Sequence, residues 1–141
     1  MSRFRTRIKV RFSDVDRAGI AYYPRVVDYF HRAMEDFFEE CVGAPYARVI
    51  EDDGLGFPTV ALDTQFLSPL RFGEVVEVEV GIAKLGNTSV VFHYQIVGAD
   101  GTVKAKARVT TVCVELEGLK PVPVPERYRA TLLKYLESTC K

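Results

Sequence analysis

Apolar and polar residues alternate along most of this chain, a pattern typical of strands. From residue 4 to residue 12, apolar or Thr positions alternate with basic ones, which predicts a strand with one buried face. The same period of two recurs over residues 60–66, 76–82 and 90–96, with Pro, Gly and Asn in the breaks between segments. These segments predict an antiparallel meander joined by hairpins.

The last strand in this pattern changes its phase. Its apolar residues are odd-numbered from Val103 to Val109 but even-numbered from Val112 to Leu116. One extra residue in a strand reverses the face of every later side chain. The pattern therefore predicts a bulge or a sharp bend near Thr110.

Two segments follow helical spacing instead. Between Val27 and Cys41 apolar residues recur every three or four positions, and Pro24 suits a first helical turn, so we expect a long helix over about residues 24–41. We expect a shorter helix over residues 126–139. Its apolar side would consist of Tyr128, Leu132, Leu133 and Leu136.

One long apolar helix beside five strands predicts an α+β architecture in which a mostly antiparallel sheet wraps the central helix. A chain of 141 residues has the size of one domain, so we expect residues 1–141 to form a single unit. A sheet with this much apolar surface needs its edge or face covered. The pattern therefore predicts a homodimer and leaves a dimer of dimers, that is a homotetramer, open.

Composition and charge narrow the classes of partner. The chain has 19 basic and 19 acidic residues, so it lacks the positive field that holds a nucleic-acid backbone. It also lacks an apolar run of about 18 residues, which argues against a membrane span. Cys41, Cys113 and Cys140 are odd in number and far apart, as reduced thiols are. Because the N-terminal residues do not resemble a secretion signal, we expect a cytoplasmic protein.

The densest candidate chemistry lies between residues 12 and 24. Asp14 and Asp16 precede the predicted long helix, whose first N–H groups are unpaired and carry the positive end of the helix dipole. If the loop folds back, Asp16 and the N–H of Tyr23 would meet at a thioester or ester carbonyl, which the carboxylate could attack directly or through water. Alternatively, the two aspartates only shape a turn or cap the helix.

The stretch FSDVDRAGIAYYPRVVDYF resembles the signature of the 4-hydroxybenzoyl-CoA thioesterase family of hotdog-fold proteins. The later stretches FLSPLRFGEVVEVEV, LGNTSVVFHYQI and KPVPVPE are similar to the same family, so the resemblance spans nearly the whole chain. It implies a hotdog fold and an acyl-CoA thioesterase that releases a free aromatic or short-chain acid and coenzyme A. It also implies no metal and no cofactor, since coenzyme A is part of the substrate.

The resemblance implies roles for four residues of the loop. Asp16 matches the family's catalytic carboxylate, acting as nucleophile or general base, whereas Asp14 is expected to be structural. Tyr23 matches the position whose backbone N–H receives the thioester oxygen. Gly19 matches the glycine that lets the loop turn. Many relatives carry histidine where this chain has Tyr23, so a catalytic imidazole is not expected here.

Further residues are candidates for substrate binding. His31 lies fifteen residues after Asp16, where the aromatic-acyl branch of the family carries an acidic residue. It is either a packed histidine or a side chain that reads a polar substituent of the acyl group. His93 is expected to be solvated. The remaining candidates are Tyr22, Arg71, Lys84, Thr88 and Ser89, and the basic strand face of Lys104, Lys106 and Arg108.

Two rival functions remain open at this point. A hotdog dehydratase or hydratase would need a histidine and a carboxylate on the central helix, and His31 with Glu35 is the candidate pair. A non-catalytic module would bind acyl-CoA or acyl-carrier protein without turnover. Release of a free thiol from an acyl-CoA separates these functions from a thioesterase.

Overall fold

The computed structural model describes residues 3–137. It confirms the α+β architecture, with one long helix packed against a five-stranded antiparallel sheet. The helices are α1 (Tyr23–Phe37, continued by a π-helical turn Phe38–Val42), α2 (Tyr46–Glu51) and α3 (Glu126–Lys134). The strands are β1 (Phe4–Lys9), β2 (Leu55–Gly56), β3 (Thr59–Phe66), β4 (Val75–Leu85), β5 (Ser89–Val97), β6 (Val103–Val112), β7 (Val114–Glu115) and β8 (Lys120–Pro121).

The main sheet has the order β1-β4-β5-β6-β3, and every neighbouring pair is antiparallel. The central strands β4, β5 and β6 follow one another through hairpins, as the turn residues predict. β1 and β3 are the two edge strands, and β3 pairs with β6 alone among the described residues. The short strands β2, β7 and β8 form a separate small sheet that the sequence pattern did not reveal.

Helix α1 lies against the inner face of the sheet and buries its apolar side there. Tyr29, Ala33 and Phe37 are fully buried, and Phe30 stacks on Tyr94 of β5 with ring centroids 5.3 Å apart. Each large side chain buried in this way contributes about 1.5–3 kcal/mol. The packing fixes the direction of α1 and therefore the position of its first residue, Tyr23.

Three details of the sequence analysis were wrong. The β6 ladder with β5 is regular at Thr110, and burial continues on odd-numbered residues through Cys113. The phase reverses between Cys113 and Val114, where the chain leaves the main sheet, and the bulge opposite Thr110 lies in the partner strand β3. Phe12 is exposed because β1 ends at Lys9, and Leu133 of α3 is half exposed.

The helices of residues 3–137 include none that is long and apolar enough to cross a membrane. Cys41 and Cys113 are free thiols. Cys140 lies outside the described residues, and so do the last two residues of the helix expected over 126–139. Within the described part, α3 ends at Lys134.

Candidate active site

The loop before α1 is a small hairpin. The N–H of Asp16 donates to the carbonyl of Ile20 at 3.0 Å, and the N–H of Tyr22 donates to the carbonyl of Asp14 at 2.9 Å. The N–H of Gly19 closes the turn on the carbonyl of Asp16 at 2.9 Å. Gly19 has φ +79°, a left-handed conformation that suits glycine, which is the turn-forming role predicted for it.

Asp14 fastens this hairpin to α1 from inside. Its side chain is buried, and its Oδ2 accepts the hydroxyl of Tyr29 at 2.7 Å and the N–H of Arg11 at 3.1 Å. The guanidinium of Arg25 lies 3.9 Å from Oδ1. Burial, and then the hydrogen bond to Asp14, raise the pKa of Tyr29. This hydroxyl therefore stays protonated and donates a hydrogen bond to Asp14. These contacts are structural, as expected for the first aspartate.

The segment between β3 and β4 supports the hairpin from the other side. The N–H of Ala21 donates to the carbonyl of Leu70 at 2.7 Å, and the N–H of Phe72 donates to the carbonyl of Gly19 at 3.1 Å. Arg71 lies between these two contacts, paired with Ile20, and its side chain is exposed. The structure therefore brings this predicted binding residue to the same loop as Asp16.

The start of α1 leaves one backbone donor without a partner. Tyr22 is extended, with φ −68° and ψ 133°, and its carbonyl accepts the N–H groups of Arg25 and Val26. Pro24 has no N–H, so the N–H of Tyr23 is the remaining donor of this turn, and it has no protein acceptor within residues 3–137. Such an N–H at the positive end of a helix can polarise a carbonyl oxygen.

Asp16 sits at the tip of the hairpin, two residues beyond the Asp14–Tyr22 pair. At the rise of a strand this is about 7 Å from that pair. Its Oδ1 accepts the N–H of Ala18 at 2.9 Å, so the turn-shaping interpretation holds for one carboxylate oxygen. The residue is exposed in the single chain and lines neither of the two cavities that flank the start of α1.

Two cavities flank the start of α1. The larger one, about 670 Å³, extends along α1 from Pro24 to Met34 and is walled by α2, β3 and the inner face of the sheet. Its lining is mostly apolar. The smaller one, about 360 Å³, lies on the other side, against Tyr23, Phe66 and Leu70. Strand β3 lines both cavities, because Leu62 faces the first and Phe66 the second.

His31 lines the larger cavity, so it is not a packed core histidine. Its side chain is about half exposed, and its Nε2 lies 2.9 Å from Oε2 of Glu35 one helical turn later. The pair considered for a hydratase is therefore formed. Tyr46 packs edge-on against His31, with ring centroids 6.4 Å apart.

The other candidates differ in how close they lie to this arrangement. Lys84, Thr88 and Ser89 lie at the β4–β5 hairpin, whereas the Asp16 loop lies at the opposite end of β4, about 30 Å away at the rise of a strand. Lys104 lines the smaller cavity and is paired with Glu74, their charged atoms 3.2 Å apart. Lys106 and Arg108 are exposed on the outer face, and the side chain of Tyr22 is exposed beside Tyr23.

The expectation for His93 was wrong. Its Nδ1 lies 3.0 Å from Oε2 of Glu137, and both side chains are about four-fifths buried. Arg3 joins the same carboxylate at 2.9 Å. The C-terminal segment that supplies Glu137 forms hydrogen bonds with Ile82 of β4, and this segment covers His93.

The sequence analysis missed Tyr46 and Tyr94, which both line the larger cavity. Tyr94 lies on the buried face of β5 with Phe92 and Ile96, and the alternation over residues 90–96 predicts it as part of the core. The available signal was a hydroxyl on the buried face of a strand, which needs a partner or a cavity.

Comparison with known proteins places the chain in a family. The family model described as Thioesterase-like superfamily matches residues 10–132. The chain is 27% identical to the acyl-CoA thioester hydrolase YbgC of Escherichia coli O6:H1 over 123 residues, covering 87% of this chain and 90% of that protein. It is also 27% identical to the 1,4-dihydroxy-2-naphthoyl-CoA hydrolase of Thermosynechococcus vestitus, covering 87% of this chain and 84% of that protein.

The solved structures agree. The structure of BH1999 gentisyl-coenzyme A thioesterase superposes with a TM-score of 0.81 at 29% identity, covering 89% of this chain and 99% of that one. The strand order and the long helix confirm the predicted hotdog fold. The chain belongs to the Thioesterase-like superfamily, as a hotdog-fold thioester hydrolase.

Proposed function

We propose that this protein hydrolyses an aromatic acyl-CoA, or one with a short acyl chain, to the free acid and coenzyme A. The observation that carries the proposal is the unpaired N–H of Tyr23, which lies between two cavities at the start of α1 and beside the hairpin of Asp16. The thioester oxygen accepts this N–H, and the acyl group enters the larger cavity. The reaction needs no metal and no redox cofactor.

Asp16 acts on the carbonyl carbon in one of two ways. As a nucleophile its carboxylate adds to the carbon, coenzyme A leaves as a thiolate, and water then hydrolyses the acyl-aspartyl anhydride. As a general base it takes a proton from water, whose oxygen forms the new carbon–oxygen bond; the carbon–sulfur bond breaks, and coenzyme A leaves as a thiolate that takes up the proton. In both routes the N–H of Tyr23 stabilises the negative charge that develops on the carbonyl oxygen.

The relatives support the choice of substrate. The names of the two curated relatives specify acyl-CoA and 1,4-dihydroxy-2-naphthoyl-CoA, and the structural neighbour is a gentisyl-coenzyme A thioesterase. The apolar cavity of about 670 Å³ has room for aromatic acyl groups of this kind. The free thiols Cys41 and Cys113 suit the reducing environment of the cytoplasm.

We further propose that the active protein is a homodimer joined along β3. Leu62 and Phe66 lie on the inner side of the sheet yet are 46% and 49% exposed, whereas their β6 partners Val109 and Ala105 are 9% and 1% exposed. An exposed edge strand of eight residues is a template for pairing with another strand. A second copy paired there would cover both cavities and enclose Asp16, which a single chain leaves open to solvent.

The test measures free thiol released from benzoyl-, 4-hydroxybenzoyl-, naphthoyl- and butanoyl-CoA by the protein and by Asp16→Asn. Asp100→Asn is the matched control, because Asp100 is also exposed and also accepts the N–H two residues later, from Thr102 at 3.0 Å. We expect Asp16→Asn to lower kcat by about 10²–10⁴-fold and Asp100→Asn to leave it unchanged.

Other outcomes would contradict the proposal. Equal turnover by the two variants would show that Asp16 takes no part in the reaction. Tight binding of every acyl-CoA without thiol release would indicate the binding module. Hydration of crotonyl-CoA without thiol release would indicate a hydratase that uses the His31–Glu35 pair.

A further inference from the structure

The larger cavity contains a buried hydroxyl that the proposed reaction does not use. Tyr94 is 2% exposed and lines this cavity from β5. No group of residues 3–137 forms a hydrogen bond with its hydroxyl, whereas the other buried hydroxyl of the wall, Thr111, donates to the carbonyl of Val90 at 2.9 Å. Tyr94 is therefore a polar group without a protein partner in a mostly apolar wall.

The hydroxyl of Tyr94 opens into the cavity. Among residues 3–137, every side-chain oxygen or nitrogen that is inaccessible to solvent has a hydrogen-bond partner. The Tyr94 Oη has no partner, so it must be accessible, and the space it reaches is the cavity that Tyr94 lines. The ring itself is held between Phe30 and Phe92, with centroids 5.3 Å and 5.8 Å away. Packing on both neighbours fixes the direction of the hydroxyl.

Tyr94 stays neutral in this environment. Burial, together with the nearby Tyr46, raises its pKa well above the usual range for tyrosine. Burial also raises the pKa of Tyr46, whose hydroxyl oxygen accepts the N–H of Phe57 at 3.0 Å. A neutral hydroxyl in an apolar wall recognises an oxygen of the ligand, because a purely apolar ligand leaves the hydroxyl unpaired.

We infer that Tyr94 determines the acyl specificity of this enzyme by a hydrogen bond to an oxygen at the far end of the acyl group. The inference rests on the proposed function, because the carbonyl of that acyl group is placed at the N–H of Tyr23. The favoured substrate is a rigid, apolar acyl group that ends in a hydroxyl. Its unsubstituted analogue binds less well because it leaves Tyr94 without a partner.

The length assigned to this acyl group follows from the rise of α1, taken as the span between Tyr23 and the Tyr94 ring. Phe30, on which Tyr94 stacks, lies seven residues after Tyr23, about 10 Å along α1. With bond lengths near 1.5 Å, a benzoyl group with a para oxygen spans about 6 Å from its carbonyl carbon, and two para-linked rings span about 10 Å. The match is with the two-ring group.

The experiment compares kcat/KM for two pairs of thioesters. The long pair is 4′-hydroxybiphenyl-4-carbonyl-CoA and biphenyl-4-carbonyl-CoA, and the short pair is 4-hydroxybenzoyl-CoA and benzoyl-CoA. The variant is Tyr94→Phe. The control is Tyr128→Phe, which also removes a buried hydroxyl but lies outside the cavity, where it contacts Asp53.

We expect the wild-type chain to prefer the hydroxylated long thioester by about tenfold, the effect of one neutral hydrogen bond. Tyr94→Phe should reduce this preference to less than twofold and leave the ratio for the short pair unchanged. Tyr128→Phe should retain the preference. Absence of the preference in the wild-type chain, or its survival in Tyr94→Phe, would overturn the inference.

Failure of the proposed function gives a different result, namely no thiol release from any of the four thioesters. Calorimetric binding of 4′-hydroxybiphenyl-4-carboxylate and biphenyl-4-carboxylate then replaces the kinetic comparison. A tenfold preference for the hydroxylated acid that Tyr94→Phe removes would support the role of Tyr94 even without hydrolysis. Equal binding of the two acids would overturn it.

Discussion

Replacing Asp14 by Ala tests whether this carboxylate holds the catalytic hairpin in place. The substitution removes the acceptor of two hydrogen bonds, from the hydroxyl of Tyr29 and from the N–H of Arg11. Tyr29 is fully buried, so its hydroxyl loses its partner without gaining water. An unsatisfied buried group costs about 1–3 kcal/mol, and the half-buried N–H of Arg11 adds less because water can reach it. We therefore expect Asp14→Ala to lower the free energy of unfolding by about 2–4 kcal/mol.

Two companion variants separate the contributions. Asp14→Asn keeps an oxygen that can accept both bonds and should cost about 1 kcal/mol, since only the charge is lost. Tyr29→Phe should cost about 1.5–3 kcal/mol, because it removes a bond to a buried charged group. The double variant of Asp14→Ala and Tyr29→Phe should lose less than the sum of the single variants, since both partners are then absent.

Urea unfolding followed by circular dichroism measures these differences. Protein concentration is held constant, because the stability of an oligomer depends on it. A change within about 0.5 kcal/mol for Asp14→Ala, the range of an ordinary surface substitution, would refute the reasoning. So would additive losses in the double variant.

Two further predictions concern the edge strand and the buried thiol. Val60→Lys, at the exposed start of β3, should convert the dimer to a monomer, as light scattering would show, and abolish thiol release. The control is Leu119→Lys, at an equally exposed apolar residue outside the main sheet, which should change neither. Burial raises the pKa of the Cys113 thiol from 9.0 in the unfolded chain to about 11. The neutral thiol therefore contributes its full stability to the fold below pH 9, and this contribution is lost as the pH rises toward 11. Native Cys113 should therefore resist iodoacetamide at pH 8 and react in urea, as peptide mass spectrometry would show; rapid labelling of the native protein would contradict this.

Most of the fold could be predicted because its elements are long and regular. The predicted start of α1 lies within one residue of the observed start, because Pro24 and the apolar spacing after it are local signals. The phase change after Val109 could be detected but not located, because alternation cannot distinguish a bulge inside β6 from departure of the chain at Cys113. The predicted end of α3 was wrong for a similar reason, since Leu136 continues the apolar pattern beyond Lys134, where the chain instead pairs with Ile82 of β4.

The two halves of the candidate site differ in how far the sequence reveals them. The backbone bonds within the hairpin of Asp14, Asp16 and Gly19 join residues at most eight positions apart, so local pattern and family resemblance suffice to predict its turn. The larger cavity depends on the packing of α1 against Tyr46 and Tyr94, which lie far apart along the chain. No periodicity distinguishes a tyrosine that lines a cavity from one in a filled core.

The central claim is that the thioester oxygen binds the N–H of Tyr23, and Tyr23→Pro removes this donor together with the tyrosine ring. Proline is tolerated at the first residue of a helix, and the extended Tyr22 is compatible with a following proline. The control is Tyr23→Ala, which keeps the N–H but loses the ring contact with Phe66.

The decisive measurement is kcat for the best acyl-CoA, with circular dichroism to verify that both variants fold. We predict that Tyr23→Ala retains kcat within a few-fold of the wild-type value and that Tyr23→Pro loses about 10²–10³-fold, the cost of one oxyanion donor. Equal kcat values for the two folded variants would contradict the account.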